Sequence, residues 1–222
     1  NQIGFIYQIM NLGLTAGAGV LTSQYWGRKD SASIRKVMSM AYKISMTLAA
    51  IFTILALTIP DILMSFYTKE PEVIEAGAQY LRIIAFTYLV SGFTMTSMSI
   101  LRTVGTVKIT LYMYIISFFV NVFFNYCLIF GHFGFPQMGI VGAAIATLIA
   151  RVVECMIIVV YVFRIDKKIG FQMQDIFQKI DREILGIYMR YGAPVLCNEM
   201  LWSIGSTMLS VIMGHMGSNF VA

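Results

Sequence analysis

The sequence predicts an all-α polytopic membrane protein with six membrane-spanning helices. Of its 222 residues, 58% are hydrophobic and 12% are charged, whereas soluble domains carry roughly 25% charged residues. The mean hydropathy is +0.76. Six apolar runs are each long enough for a helix to cross a hydrocarbon core of about 30 Å. The loops between these runs alternate in charge, as expected when successive loops lie on opposite sides of a bilayer.

The ends of the six predicted spans are marked by residues that break helices. Pro60 closes the second run, Pro71 precedes the third, and Gly131 and Pro136 interrupt the chain before the fifth. Residues 164–186 mix apolar and charged side chains, and they predict an amphipathic linker along the inner membrane surface. The six spans are predicted at residues 3–26, 37–60, 73–100, 109–130, 140–163 and 187–213.

The positive charges indicate how the chain is oriented. Most of the 16 basic residues lie in the loops after the first, third and fifth spans, whereas the loop at 131–139 contains no Lys or Arg. Because positively charged loops stay on the cytoplasmic side, we predict a multi-pass protein of the cell membrane with its first residue outside. This orientation accounts for the net charge of +5, so no nucleic-acid partner is predicted. The chain has no initiator Met, which predicts that it is part of a longer protein.

Residues that could support enzymatic or metal chemistry are few. Cys127, Cys155 and Cys197 all fall within apolar spans and lack metal-ligand spacing, so we interpret them as packing residues. His132 and His215 have no matching ligand set, and no phosphate-binding glycine-rich motif is present in the sequence. We predict no enzymatic activity, no bound metal and no cofactor.

The stretch 121–154 places polar and charged residues inside apolar spans. Asn121 and Asn125 lie one helical turn apart, while Thr147, Arg151 and Glu154 follow one stripe of the next span. A charge at a helix centre costs at least about 2.5 to 3.5 kcal/mol on insertion scales, so such residues usually face a bundle interior or a water-filled cavity. Since Arg151 and Glu154 are three residues apart, we predict a structural ion pair between them.

Glu199 is the acidic residue of the last span, and it has no basic residue within a helical turn. We predict that it is an ion-coupling residue; the alternative is a carboxyl group satisfied by hydrogen bonds in a helix interface. Counted along the helices, Glu199 could meet Asn121, Arg151 and Glu154 in one layer. The adjacent Trp202 and Ser203 are candidates for a substrate cavity.

The first span carries a second set of cavity candidates, Gln8, Asn11 and Thr15, near one helix face. Gly13 and Gly17 form a pair of small residues four apart, which is typical of close helix contacts in membranes. The three polar side chains therefore have two interpretations: they line a cavity, or they form hydrogen bonds across a closely packed bundle.

Four motifs of the chain resemble the multidrug and toxic compound extrusion (MATE) transporters of bacteria. They are TSQYWGRKD at 22–30, LRTVGTVK at 101–108, NVFFNYCLIFGHFGFPQMGIVGAAIATLIARVVE at 121–154 and GAPVLCNEMLWSIGS at 192–206. The resemblance implies a twelve-helix, two-lobed transporter of the inner membrane, of which this chain is about half. Residues 1–163 would form helices two to six of the N-terminal lobe, 164–186 a cytoplasmic linker, and 187–222 the first helix of the C-terminal lobe.

The resemblance also implies a function and site residues. Members of the family export cationic or amphipathic compounds in exchange for sodium ions or protons. Asn121 matches an amide of a fifth-helix polar cluster, Asn125 stands where many relatives carry Asp, Thr147 matches a sixth-helix polar position, and Glu199 resembles a seventh-helix acid. The resemblance therefore implies that these four residues form the ion-coupling site, with the first three as neutral ligands. The implied partners are a small-molecule substrate, the lipid bilayer and the remaining helices of the full-length chain.

Two other functions are compatible with the sequence. A lipid-linked saccharide flippase of a related fold would have a more basic cavity. A membrane anchor of an enzyme complex would carry a cluster of catalytic side chains in its loops, and the outer loops of this sequence are short and lack one.

Overall fold

The computed structural model describes residues 2–66 and 69–215, and all regular elements in these ranges are helical. The all-α prediction is confirmed. Short 3-10 turns lie at His132–Gly134 and Met173–Phe177, and a π-helical turn, Tyr161–Ile165, directly follows the α-helix Gly139–Val160. The α-helices are α1 (Gln2–Gly27), α2 (Ser31–Thr58), α3 (Pro60–Ser65), α4 (Pro71–Thr103), α5 (Lys108–Phe130), α6 (Gly139–Val160) and α7 (Arg182–His215).

Five helices of the described chain are long and apolar enough to cross a membrane, namely α1, α2, α4, α5 and α6 with its π-helical extension. They correspond to the first five predicted spans. The sixth predicted span, 187–213, lies within the helix α7, which is not among these five. Asn198 and Glu199 lower the apolar character of α7 at its middle, so its membrane crossing stays a prediction. Residues 216–222 of the predicted C-terminal segment lie outside the described residues.

Local chemistry explains several helix ends. Asp30 caps α2, because its carboxylate accepts hydrogen bonds from the Ser33 hydroxyl at 2.5 Å and from the Ser33 backbone N–H at 3.0 Å. Pro60 begins the short helix α3 rather than closing α2, which ends at Thr58. Gly131 terminates α5 in the left-handed conformation, with φ at 75°.

Four helices, α1, α2, α4 and α6, contribute to both clusters of buried apolar side chains, and α2 and α4 supply more of these residues than any other helix. Polar groups between these two helices are paired with each other. The hydroxyls of Tyr42 and Ser97 lie 2.8 Å apart, and Thr96 donates to Ser45 at 2.9 Å. Hydrogen bonds of this kind hold helices together where the surrounding lipid offers no polar partners.

Two helix pairs come into close contact through glycine. A Cβ atom added to Gly142 on α6 would lie 2.6 Å from the carbonyl oxygen of Leu128 on α5. A Cβ atom on Gly17 of α1 would lie 2.9 Å from the Cα atom of Gly192 on α7, and one on Gly13 would be equally crowded. The close contact predicted from Gly13 and Gly17 is therefore present, and it joins α1 to α7.

The predicted linker packs against α2. Its Ile169 and Phe171 side chains are buried in the core, and Asp175 pairs with Arg35 of α2 at 3.8 Å. Ser39 of α2 donates to the carbonyl oxygen of Ile176 at 3.3 Å. The segment is largely irregular, and α7 begins at Arg182, five residues before the predicted span. Its position at the inner membrane surface stays a prediction.

Candidate functional site

A polar groove opens between α5 and α6 in the membrane-spanning part of the chain. Its volume is about 510 Å³. The α5 wall consists of residues one helical turn apart, and the α6 wall continues the stripe that begins at Thr147. The groove is lined by Tyr114, Ser117, Phe118, Asn121, Thr147, Ala150, Arg151 and Glu154. The structure thus brings four residues predicted from the sequence, Asn121, Thr147, Arg151 and Glu154, to one cavity.

Arg151 and Glu154 form the predicted ion pair. The Nη1 atom of Arg151 donates to Oε2 of Glu154 at 2.7 Å, and the Ser117 hydroxyl donates to Oε1 at 2.6 Å. The Glu154 side chain is 6% exposed, whereas that of Arg151 is 35% exposed. Both carboxylate oxygens are therefore engaged, and the guanidinium faces the groove. The contact is present as predicted, and its structural role stays a prediction.

The two asparagines of α5 also contact each other. The Asn125 amide donates to Oδ1 of Asn121 at 2.8 Å. Each amide offers one oxygen acceptor and two N–H donors, so this bond leaves the Asn121 N–H groups and the Asn125 oxygen available. The Thr147 hydroxyl donates to the Ala143 carbonyl oxygen at 2.9 Å, and its own oxygen can still accept. The groove therefore offers neutral polar groups next to a compensated ion pair.

A smaller cavity of about 180 Å³ lies between α1, α4 and α6, and it shares Thr147 and Arg151 with the groove. Gln8, one of the predicted cavity residues, lines it together with the aromatic side chains of Tyr7, Tyr80 and Tyr88. Arg151 therefore stands between a polar groove and an aromatic cavity.

Asn11 and Thr15 do not line either cavity. Asn11 is fully buried, and its amide contacts Tyr7 Oη at 3.4 Å and Met95 Sδ at 3.7 Å. The Thr15 hydroxyl donates to the Leu12 carbonyl oxygen at 3.1 Å. Asn11 thus fits the second interpretation, in which polar side chains of α1 form hydrogen bonds across a packed bundle, whereas the Thr15 hydroxyl bonds within its own helix.

The predicted residues of α7 lie apart from the groove. Glu199 is half-buried and is not among the groove-lining residues. Ser203 is buried and lines a cavity of about 150 Å³ between α1 and α7. Trp202 is 60% exposed, with its ring 5.9 Å from that of Phe5. The predicted layer is thus formed by Asn121, Arg151 and Glu154, and Glu199 does not join it in this conformation.

Sequence reasoning missed the partners that come from other helices. Ser117 lies four residues before Asn121, so the same helical spacing that selected the asparagines could have found it. No sequence signal distinguishes Tyr7, Tyr80 and Tyr88 from the other tyrosines, because they converge only through helix packing. In the ranges 2–66 and 69–215, no cluster of three acidic, His or Cys side chains could hold a metal ion.

The three cysteines differ in exposure. All are free thiols; Cys127 is buried, Cys155 is half-buried and Cys197 is exposed. The packing interpretation fits Cys127, whereas the exposed Cys197 does not pack within the described part of the chain.

Comparison with known proteins shows which proteins this chain resembles. Residues 1–127 match the family model named MatE. Over 227 aligned residues the chain is 30% identical to the "Probable multidrug resistance protein YoeA" of Bacillus subtilis (strain 168), covering 98% of this chain and 47% of that protein. The chain therefore spans about half the length of the curated relatives it matches.

Solved structures share the same helical arrangement. The chain resembles the inward-facing conformation of a multidrug resistance MATE family transporter of the MOP superfamily, with a TM-score of 0.77, 24% identity and coverage of 91% of this chain and 45% of that one. An outward-facing conformation of such a transporter gives a TM-score of 0.75 at 25% identity, with coverage of 94% and 46%. The described helices thus match half of a transporter fold in either conformation.

Proposed function

Because this chain belongs to the MatE family, we propose that the full-length protein is a secondary active antiporter that exports cationic or amphipathic compounds in exchange for sodium ions or protons. The chain would supply helices two to seven of a twelve-helix protein. The name of the B. subtilis relative, a probable multidrug resistance protein, supports export of this kind of compound.

The observation that carries the proposal is the polar groove inside apolar helices. Charged and amide side chains are costly in hydrocarbon, and they are retained where they line an aqueous path or bind a ligand. The groove combines the Arg151–Glu154 pair with the aromatic side chains of Tyr114 and Phe118. Aromatic faces attract organic cations, so this wall suits a cationic, partly apolar compound.

Within this proposal the groove residues hold ions through neutral oxygens. Sodium, like other hard cations, binds oxygen ligands. The oxygens of Asn125 and Thr147 accept no hydrogen bond in the contacts described above, and the Asn121 oxygen, which accepts from Asn125, has a second lone pair. The Arg151–Glu154 pair would fix the geometry of α6. Glu199, which no hydrogen bond or ion pair engages among the described residues, would exchange an ion or proton for the substrate.

Alternating access would bring these groups together. In two-lobed transporters, the lobes rock around a site near the bilayer midplane. Here α5 and α6 line the groove, while α7 would begin the second lobe and carries Glu199. Similarity to both an inward-facing and an outward-facing structure supports a lobe that keeps its internal packing during this movement.

The composition of the groove lining supports the antiporter over the flippase alternative. A saccharide–phosphate substrate requires a basic cavity, but Arg151 is the only Lys or Arg among the groove-lining residues, and Glu154 neutralises it. Dye export with no transfer of lipid-linked saccharides would support the antiporter, and the reverse result would support the flippase.

The test uses the full-length protein in proteoliposomes loaded with a fluorescent lipophilic cation. A sodium gradient and a proton gradient are imposed in separate experiments, and dye movement is recorded. We expect one gradient to drive transport, and Glu199→Gln to abolish that component. Glu183→Gln, which neutralises an exposed acid at the start of α7, is the matched control. Full gradient-driven transport in the Glu199→Gln variant would refute the assignment of Glu199.

A further inference from the structure

A second polar cavity lies at the end of the helix bundle that carries the basic loops. It has a volume of about 370 Å³ and sits where the α4–α5 turn, the start of α5, the end of α6 and the linker meet. Its lining includes two lysines and no acidic residue. The lining residues are Gly105, Thr106, Val107, Lys108, Ile109, Tyr112, Tyr161 and Lys168.

Lys168 is held in this cavity by contacts that span more than sixty residues of sequence. Its ammonium group donates to the Thr106 hydroxyl at 3.1 Å and to the Val104 carbonyl oxygen at 3.3 Å. A lysine has three N–H donors, so one remains for a ligand. The backbone carbonyl and the hydroxyl are both uncharged, and the positive charge of Lys168 is therefore not neutralised by these contacts.

The nearest acid along the chain does not neutralise this charge either. The Asp166 carboxylate accepts hydrogen bonds from the backbone N–H groups of Lys168 and Ile169, at 3.4 and 3.1 Å. It is thus engaged with its own turn. Lys108 is exposed, and no ion pair joins it to an acid within the described residues. Two positive charges therefore share one cavity whose lining contains no acidic residue.

The apolar surroundings favour an amphipathic ligand. On α5, Tyr112 and Phe119 are 60% and 66% exposed, and they continue from Lys108 along the helix. On α6, Val160 is exposed beside Tyr161. An acyl chain can lie on this apolar surface while its headgroup occupies the cavity. Lysine-containing pockets at the cytoplasmic ends of membrane helices attract anionic lipid headgroups.

We propose that this cavity binds the phosphate of an anionic phospholipid of the inner leaflet, with Lys108 and Lys168 as its cationic ligands. The Thr106 hydroxyl would help to position Lys168. Because Lys108 belongs to α5 and Lys168 to the linker, the bound lipid would hold the linker against the N-terminal lobe. This inference does not depend on the transported substrate or on the coupling ion.

The test measures lipid binding to the purified full-length protein by native mass spectrometry. Phosphatidylglycerol, phosphatidylcholine with the same acyl chains and inorganic phosphate are titrated separately. The variant K108Q/K168Q removes both cavity charges, and K167Q/K179Q removes two exposed linker charges outside the cavity lining. The control matches the change in net charge, so it separates the cavity from general electrostatic attraction.

We expect phosphatidylglycerol to bind in preference to the other two ligands. Each lysine near an anionic surface contributes about a fivefold change in affinity, so K108Q/K168Q should weaken phosphatidylglycerol binding roughly 30-fold. The control should retain nearly all of the parental affinity. Equal losses in the two variants would overturn the proposed cavity site. Equal binding of phosphatidylcholine, or binding of inorganic phosphate as tight as that of the lipid, would overturn the anionic phospholipid as its ligand.

Discussion

The Arg151–Glu154 pair makes a quantitative prediction about stability. Removing one partner of a fully buried ion pair costs about 3–5 kcal/mol, because the other charge stays buried without compensation. Arg151→Met leaves the Glu154 carboxylate, 6% exposed, with the Ser117 hydroxyl as its remaining partner. Because that hydrogen bond remains and the groove beside the pair admits water, we expect Arg151→Met to lower the free energy of unfolding by about 2–3 kcal/mol, less than for a fully buried pair.

Replacing the acidic partner, Glu154, should lower the free energy of unfolding by less. Glu154→Gln leaves Arg151, whose side chain is 35% exposed to the groove, so water can hydrate the guanidinium. The Gln side chain also keeps an oxygen that can accept from Ser117 or Arg151. The expected loss for Glu154→Gln is about 1–2 kcal/mol, below the cost of a fully buried unpaired charge.

The double variant Arg151→Met/Glu154→Gln tests whether the two residues act as a pair. It contains neither charge, so its loss should be smaller than the sum of the single losses by about 2–3 kcal/mol. The free energies can be obtained by reversible denaturation of the full-length protein in mixed micelles. Additive losses would refute the ion pair as a stabilising unit. Because the proposed role of the pair is structural, the double variant should also retain gradient-driven dye export.

Three further predictions concern other parts of the described chain. Gly142→Ala should destabilise the α5–α6 pair by about 1–3 kcal/mol, because the added Cβ atom meets α5 backbone. Gly205→Ala, which meets open space, should not. Hydrogen bonds in the first turn of α2 lower the pKa of Asp30, so its capping contribution is complete above the unfolded-state pKa and is lost as pH falls through the folded-state pKa. Asp30→Ala should therefore reduce the acid dependence of the melting temperature. The ion pair between Arg35 and Asp175 holds the linker against α2. Arg35→Gln should therefore loosen the linker and accelerate trypsin cleavage at its lysines.

Each of these experiments has a control with a different expected outcome. Equal destabilisation by Gly142→Ala and Gly205→Ala would contradict the close approach of α5 and α6. Asp30→Asn retains a capping oxygen without a titrating group. The Asp30→Asn variant should therefore be more stable than Asp30→Ala at neutral pH, and both variants should show the same reduced acid dependence of the melting temperature. Arg28→Gln removes an exposed charge on the same predicted side; equally fast cleavage in this variant would contradict the role of Arg35.

Features fixed by local geometry could be predicted from the sequence. Five spans were predictable because length and apolar composition determine whether a helix can cross a bilayer. The contact between Arg151 and Glu154 was predictable because residues three apart are neighbours on any α-helix. The contact between Asn121 and Asn125 follows the same spacing rule, at four residues.

Features that depend on how helices cross could not be predicted. Ser117 meets Glu154 because α5 and α6 approach closely near Gly142 and keep their registers along the pair. Depth counting placed Glu199 near the groove residues, but depth along a helix does not determine which side of the bundle the helix occupies. The linker was interpreted from its alternation of charge and apolar residues, which does not reveal that Ile169 and Phe171 are buried.

The groove geometry bears on which acid can exchange an ion in the proposed mechanism. Both oxygens of Glu154 are held, one by Ser117 at 2.6 Å and the other by Arg151 at 2.7 Å. A cation that binds directly to Glu154 would have to displace the Arg151 guanidinium, which is a covalently tethered competitor of the same charge. Glu199 has no such competitor among the described residues, so ion binding there requires no ion pair to break. Since Glu199 lies on α7 and outside the groove, its exchange would depend on the movement of α7 relative to α5 and α6, which is the coupling that an antiporter needs.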